Sequence, residues 1–257
     1  MKESSLKKQL IVVIIAEGLN EISSRKTTVL HTVSGIPIIV KVVLEVLKME
    51  TRKIFIISGR NRLNIENELR DYIDMYKVEF ISQGELLGTG HAIMSCYDKL
   101  KKFNHANVLL LPGTAPFLDK ELMEDMVKDL ENVRICIGKL ADPGLLDRVK
   151  IIDKRFKKII NYDNCTKDDL KIKTFHTGIY AIDVLLLCKY IHKIDSNNRQ
   201  KEYLLSDIVE IIKSYENIPI KIYKIPSEEQ IKIMTVNTNK DLDEMECYSN
   251  ALDIVHK

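Results

Sequence analysis

Three short polar segments hold the residues able to do chemistry, and each directly follows an aliphatic run. The first is segment 17–26 (EGLNEISSRK), after the run ending at Ala16. A glycine with nearby cations between a strand and a helix is one way to cradle phosphates, through backbone N–H groups and a lysine or arginine. Gly18 alone supplies flexibility here, and the spacing matches neither GxGxxG nor GxxxxGK[ST]. A connecting loop and a phosphate cradle both stay open, with Arg25 and Lys26 as the only cations. The second is Gln83–Ala92 (QGELLGTGHA), where Gly88 and Gly90 bracket Thr89. Such a loop lets backbone approach a planar ligand closely; equally, Thr89 could cap the helix that follows. The third is Pro112–Pro116 (PGTAP). A metal-dependent enzyme would place a carboxylate there, since Mg²⁺ takes oxygen ligands beside substrate phosphates. This chain has Thr114.

The elements that must hold these segments follow from the hydrophobic pattern. Leu10–Ile15, Lys53–Ser58, Val78–Ser82 and Asn107–Leu111 read as strands, the first two buried on both faces. Helices are expected from Pro37 onward and over Asn64–Tyr76, His91–Leu100 and Lys120–Leu130. This alternation implies an α/β fold, a Rossmann-like doubly wound sheet, which binds ligands beyond the C-terminal ends of its strands. The three polar segments lie there. Further on, Arg134–Lys139, Val149–Asp153, Lys158–Tyr162 and Thr177–Ile182 read as strands of a more antiparallel region, so the sheet is mixed. Helices over Val184–Tyr190 and Ser206–Tyr215, strands over Ile218–Tyr223 and Ile231–Val236, and a last helix over Leu242–Val255 complete the expectation. No linker and no internal repeat divides residues 1–257, so one domain is expected.

Composition narrows the classes. With 257 residues, 30% charged and a net charge of +2, the chain is globular and lacks the basic excess that nucleic acid or a membrane surface would want. Five cysteines without CxxC spacing argue against a disulfide scaffold and for a reducing, cytoplasmic setting. The apolar run Leu10–Ala16 is too short to span a bilayer. The oligomeric state is not legible.

Several motifs occur in a fixed order: Ile15-Ala16, then Val29-Leu30-His31…Gly35-Ile36-Pro37; Gln83…Leu87-Gly88-Thr89-Gly90-His91-Ala92; Gly113…Pro116; Asp142-Pro143…Asp147-Arg148-Val149; His176-Thr177-Gly178; Glu202–Ile208 (EYLLSDI); and Thr235–Thr238. Together they span roughly residues 9 to 245 and resemble the bacterial N-acetylglucosamine-1-phosphate uridylyltransferase domain of the nucleotide-sugar pyrophosphorylase superfamily. The resemblance implies a nucleotide-binding part over about 9–130 and a sugar-binding part over about 131–240. It implies a nucleotide site at Ala16, Gly18, Gln83, Gly88, Thr89 and Gly113. The sugar would lie near Asp147, Asn161, His176 and Gly178, and Mg²⁺ near Asn237 and position 114. UTP and a sugar 1-phosphate would be the partners, giving UDP-N-acetylglucosamine and pyrophosphate.

The chain departs from the family pattern at charged positions. Its first loop is one residue shorter and has Ile22 and Ser23 near the family's catalytic arginine, so Arg25 and Lys26 are the stand-ins. Thr28 replaces a lysine, and Thr114 the metal-binding aspartate, for which Glu17 and Glu21 are substitutes by position only. Asn161 replaces a glutamate, His176 an asparagine, and Asp147 a glycine. Two functions follow: a working uridylyltransferase, or a degenerate relative that binds a uridine nucleotide or UDP-sugar in a regulatory or assembly role. The bifunctional relatives continue into a β-helix of hexapeptide repeats that performs acetylation, and no such repeats occur in these residues.

Overall fold

The structure, a computed structural model, describes residues 8–16 and 26–255, with side chains to 251. Its strands are β1 (Gln9–Ile15), β2 (Thr32–Val33), β3 (Ile36–Pro37), β4 (Lys53–Ser58), β5 (Val78–Ser82), β6 (Ala106–Pro112), β7 (Val133–Lys139), β8 (Arg148–Ile152), β9 (Arg155–Ile160), β10 (Thr174–Asp183) and β11 (Lys221–Lys224). The helices are α1 (Ile38–Leu47), α2 (Arg62–Arg70), α3 (Thr89–Ser95), α4 (Tyr97–Leu100), α5 (Lys120–Val127), α6 (Val184–Tyr190), α7 (Asp207–Glu216) and α8 (Asn239–Val255).

The β-branched run of β1 makes it the centre of the sheet. Ile11 and Val13 pack into the core on one face, and Val12 and Ile14 into the core on the other. A strand alternates its side chains between faces, so only an uninterrupted apolar run can serve two cores. Helices α1, α2 and α5 cover one face with Val40, Val43, Ile65, Leu69 and Met123. Helices α3, α6 and α7 cover the other with Ile93, Leu187, Ile208 and Ile212. Each fully buried aliphatic side chain contributes about 1.5–3 kcal/mol, so these two layers dominate the stability.

The nine-stranded sheet runs β11-β7-β10-β6-β1-β4-β5, with the β8–β9 hairpin attached to β10. Strands β6, β1, β4 and β5 are parallel, and β10 runs antiparallel between β6 and β7. β11 is parallel to β7, so the later region is less antiparallel than its short connections suggested. The C-terminal ends of β1, β5 and β6 consequently lie along one edge of the parallel half.

Two further expectations are corrected. Ile231–Val236 is not a strand: a 3₁₀ helix covers Ser227–Ile233, followed by extended chain in which Val236 N–H donates to the Thr114 carbonyl (2.9 Å). Its β-branched residues pack rather than pair: Ile233 joins the large core, and Val236 packs with Val33, Ile38 and Met245. Pro37 does not occupy the first turn of α1 but is its N-cap, closing the small hairpin β2–β3. The turn at Asp153 and Lys154, both at positive φ, joins β8 and β9 as a hairpin.

Candidate active site

At the C-terminal ends of β1 and β6 the strands approach closely. Gly113 donates its N–H to the Ile15 carbonyl at 2.8 Å. A Cβ there would stand 2.9 Å from that oxygen and 3.1 Å from the Ala16 Cα, so position 113 has room only for glycine. Beside this junction lies a cavity of about 350 Å³. Its walls bring together Ala16, Thr89, Thr114, Asp147, His176, Gly178 and Asn237, residues drawn from most of the length of the chain. Leu204, Leu205 and Ser206 from the EYLLSD stretch complete one side.

The loop carrying Thr89 is locked to that stretch. Tyr203 N–H donates to the Leu87 carbonyl at 2.8 Å, and Gly90 N–H donates to the Tyr203 carbonyl at 2.7 Å. The Thr89 hydroxyl accepts from Leu205 N–H at 3.1 Å. Gly88 has φ +104°, and a Cβ would sit 2.6 Å from the Tyr203 oxygen. Only glycine fits there, for backbone conformation and for space. Thr89 is the first residue of α3, not its cap. Gln83 is buried and donates from Nε2 to the Gly88 carbonyl at 3.1 Å, with its amide 3.3 Å from His91 Nδ1. Gln83 and Gly88 therefore shape the loop without lining the cavity themselves.

Opposite lies β10. Its register against β7 shifts between His176 and Tyr180, and the bulge turns Gly178 and Thr177 toward the cavity. His176 is 8% exposed, and its Nδ1 accepts from Gly178 N–H at 3.2 Å. That bond leaves the proton on Nε2, which is buried without a partner among the described residues. Desolvation pushes the imidazole pKa down to about 3, so His176 is neutral at physiological pH. The His176 backbone N–H donates to the Asp147 carbonyl at 2.9 Å, which holds the two residues side by side. Burial raises the Asp147 carboxyl above its usual range, offset in part by the Tyr162 N–H that donates to Oδ1 at 3.0 Å. Asn161 faces elsewhere: its Oδ1 accepts from Asp163 N–H (3.1 Å) and Gln200 Nε2 (2.7 Å), and it does not line the cavity.

The last wall is the 235–238 loop. The Val236–Thr114 bond sets Asn237 near Thr114, and Asp241 Oδ2 accepts from Asn237 N–H and Thr238 N–H at 2.9 Å each. Asn237 Nδ2 donates to the Thr235 hydroxyl at 3.0 Å. Thr114 and Asn237 offer a hydroxyl and an amide, whereas Mg²⁺ is held through carboxylates beside substrate phosphates. Among the described residues this pair does not make a resident magnesium site.

Gly18 and Arg25, with Glu17, Glu21, Ile22 and Ser23, lie outside the described residues. Lys26 lines a separate open cleft against α2, with Asn64, Asn67 and Glu68. Thr28 is 1% exposed inside a 3₁₀ turn, with its hydroxyl buried and without a partner among the described residues. Ser206, Thr177 and Tyr180 also line the cavity. The EYLLSD motif pointed to Ser206 and the His176-Thr177-Gly178 motif to Thr177, but nothing in the local pattern marked Tyr180.

These features define a class. The chain has the nucleotide-diphospho-sugar transferase fold, a doubly wound mixed sheet with its cavity at the strand ends. A solved structure named "Putative Glucose-1-Phosphate Thymidylyltransferase" from Bacillus anthracis superposes with a TM-score of 0.73 at 17% identity, covering 93% of this chain and 94% of that one. The 4-diphosphocytidyl-2C-methyl-D-erythritol synthase of Anaerococcus prevotii gives 0.64 at 16% identity, covering 95% and 97%. Within that class the sequence relatives are more particular. A protein of Acanthamoeba polyphaga mimivirus named "Probable UDP-N-acetylglucosamine pyrophosphorylase" is 28% identical over 256 residues, 97% of this chain and 100% of the relative. The bifunctional protein GlmU of Thermoanaerobacter pseudethanolicus is 32% identical over 244 residues, 92% of this chain and 51% of that protein. The chain thus spans about half the length of its bifunctional bacterial relatives. No protein-family model matches it. In sequence and fold it is similar to a GlmU-like nucleotidyltransferase domain.

Proposed function

We propose that the chain is a sugar-1-phosphate uridylyltransferase. The phosphate oxygen of the sugar 1-phosphate attacks the α-phosphorus of UTP, the bond to the β-phosphate oxygen breaks, and pyrophosphate leaves with the electron pair. The observation that carries this is the single cavity uniting the Thr89 loop, the β6 end at Thr114, the β10 bulge and the Asn237 loop. The displacement needs two reactants aligned and their charge neutralised, with little covalent help from protein.

The chain's residues divide that work. The Thr89 loop and Ala16 at the end of β1 line the part of the cavity that the nucleotide would take. His176, Asp147 and Ser206 face the sugar from β10, the turn before β8 and the start of α7. Arg25 is the expected cation of the first loop. Mg²⁺ would arrive on the triphosphate, because the described residues do not hold it alone. N-acetylglucosamine 1-phosphate is the acceptor to which the relatives' names point. The alternative of binding without turnover draws on neutral Thr28 and Thr114, and the relatives favour the enzyme. Incubation with UTP, Mg²⁺ and sugar 1-phosphates should release pyrophosphate and form a UDP-sugar. No pyrophosphate with any nucleotide and sugar phosphate would sink the reading.

A further inference from the structure

The sugar end of the cavity has an electrostatic imbalance. Asp147 is the only charged side chain among the described residues that line it. Arg148, 1% exposed, lowers the Asp147 pKa by less than burial and Asp163 raise it, and its guanidinium donates to the Leu146 and Gly144 carbonyls, the latter at 2.9 Å. His176, beside Asp147, stays neutral and brings an Nε2–H without a partner among the described residues rather than a charge. The other ionisable groups around the carboxylate are acidic. Asp163 raises it further, and Asp147 in turn raises Asp207 and the buried Tyr180 hydroxyl. Asp207 also meets Glu210 and Asp195.

A substrate with an anionic phosphate must enter this space, and a buried carboxylate that Arg148 offsets only in part opposes it. A neutral sugar substituent would leave the imbalance in place. A substituent ammonium would end it, with three donors for the carboxylate, while His176 Nε2–H would find an acceptor in a neighbouring hydroxyl. We propose that Asp147 makes the sugar site selective for a sugar 1-phosphate bearing an unacetylated, positively charged amino group. This inference rests on the uridylyltransferase reading and names its acceptor.

The test compares glucosamine 1-phosphate, N-acetylglucosamine 1-phosphate and glucose 1-phosphate with UTP and Mg²⁺, in the wild-type chain and in Asp147→Asn. The amide of that variant would retain the oxygen that accepts from Tyr162 N–H and lose only the charge. Because a charge-assisted hydrogen bond contributes about 1.5–3 kcal/mol, the wild-type kcat/KM should favour glucosamine 1-phosphate over the acetylated sugar by about tenfold or more. In Asp147→Asn the preference should collapse toward unity, and Asp147→Glu should recover part of it. A merely structural role would lower all three substrates together. Calorimetry with the same three sugar phosphates reads the ratio as dissociation constants if turnover is slow. Equal or better use of N-acetylglucosamine 1-phosphate by the wild type overturns the inference and leaves the uridylyltransferase reading intact. Absence of both turnover and sugar-phosphate binding overturns both.

Discussion

Thr28 shows how a substitution at one position changes what a loop can do. A threonine hydroxyl buried without a partner costs about 1–3 kcal/mol in desolvation, and Thr28 has that environment among the described residues. Thr28→Val should therefore raise unfolding stability by about 1 kcal/mol, read as a higher urea midpoint at an unchanged slope. A lower midpoint would mean that the hydroxyl has a partner in solution. Asp207 makes a second prediction. Burial, then Glu210, Asp195 and Asp147, push its pKa up to about 6. The folded chain therefore binds this proton more tightly than the unfolded chain. The group's contribution to stability falls as pH rises from about 4 through 6 and stays low above that. Asp207→Asn should be more stable than wild type at pH 7.5, with the difference closing by pH 4. A difference of equal size at both values would place its cause elsewhere.

At the scale of elements, the motif loops and the EYLLSD stretch act as one unit. Thr89→Val would remove the acceptor of Leu205 N–H, and an unsatisfied buried amide costs about 1–3 kcal/mol. Amide exchange at Leu205 should accelerate in that variant more than exchange at Ile14, deep in β1; uniform acceleration would show global destabilisation instead. Much of this scale was legible in the sequence. Lys53–Ser58, Val78–Ser82 and Val184–Tyr190 have the expected bounds, because two-sided burial and helical spacing leave direct marks in residue order. Ile231–Val236 was not, since a β-branched segment reads as a strand whether its backbone pairs or its side chains alone are buried. The site was partly legible too. Thr89, Asp147, His176 and Asn237 meet in the cavity, but Asn161 turns to Gln200 and Lys26 to a different cleft. Which way a loop side chain faces depends on tertiary contacts that no local pattern records.

For the molecule as a whole, a net charge of +2 is spread over a surface of mixed sign, while the cavity walls among the described residues hold one carboxylate and no cation. No described helix is long and apolar enough to cross a membrane. The fold delivers four loops to one space, and the account stands on that space being where UTP and a sugar 1-phosphate react. Pyrophosphate release by the wild-type chain, set beside Ser206→Leu, tests this most directly. Ser206 lines the cavity, and its side chain does not cap α7, so a leucine narrows the site at little cost to the fold. The account predicts sugar-dependent pyrophosphate release by the wild type and at least about a tenfold loss in Ser206→Leu at an unchanged melting temperature, as misplaced reactants forfeit the gain from alignment. No release by the wild type with any sugar 1-phosphate, or undiminished release by Ser206→Leu, would contradict it.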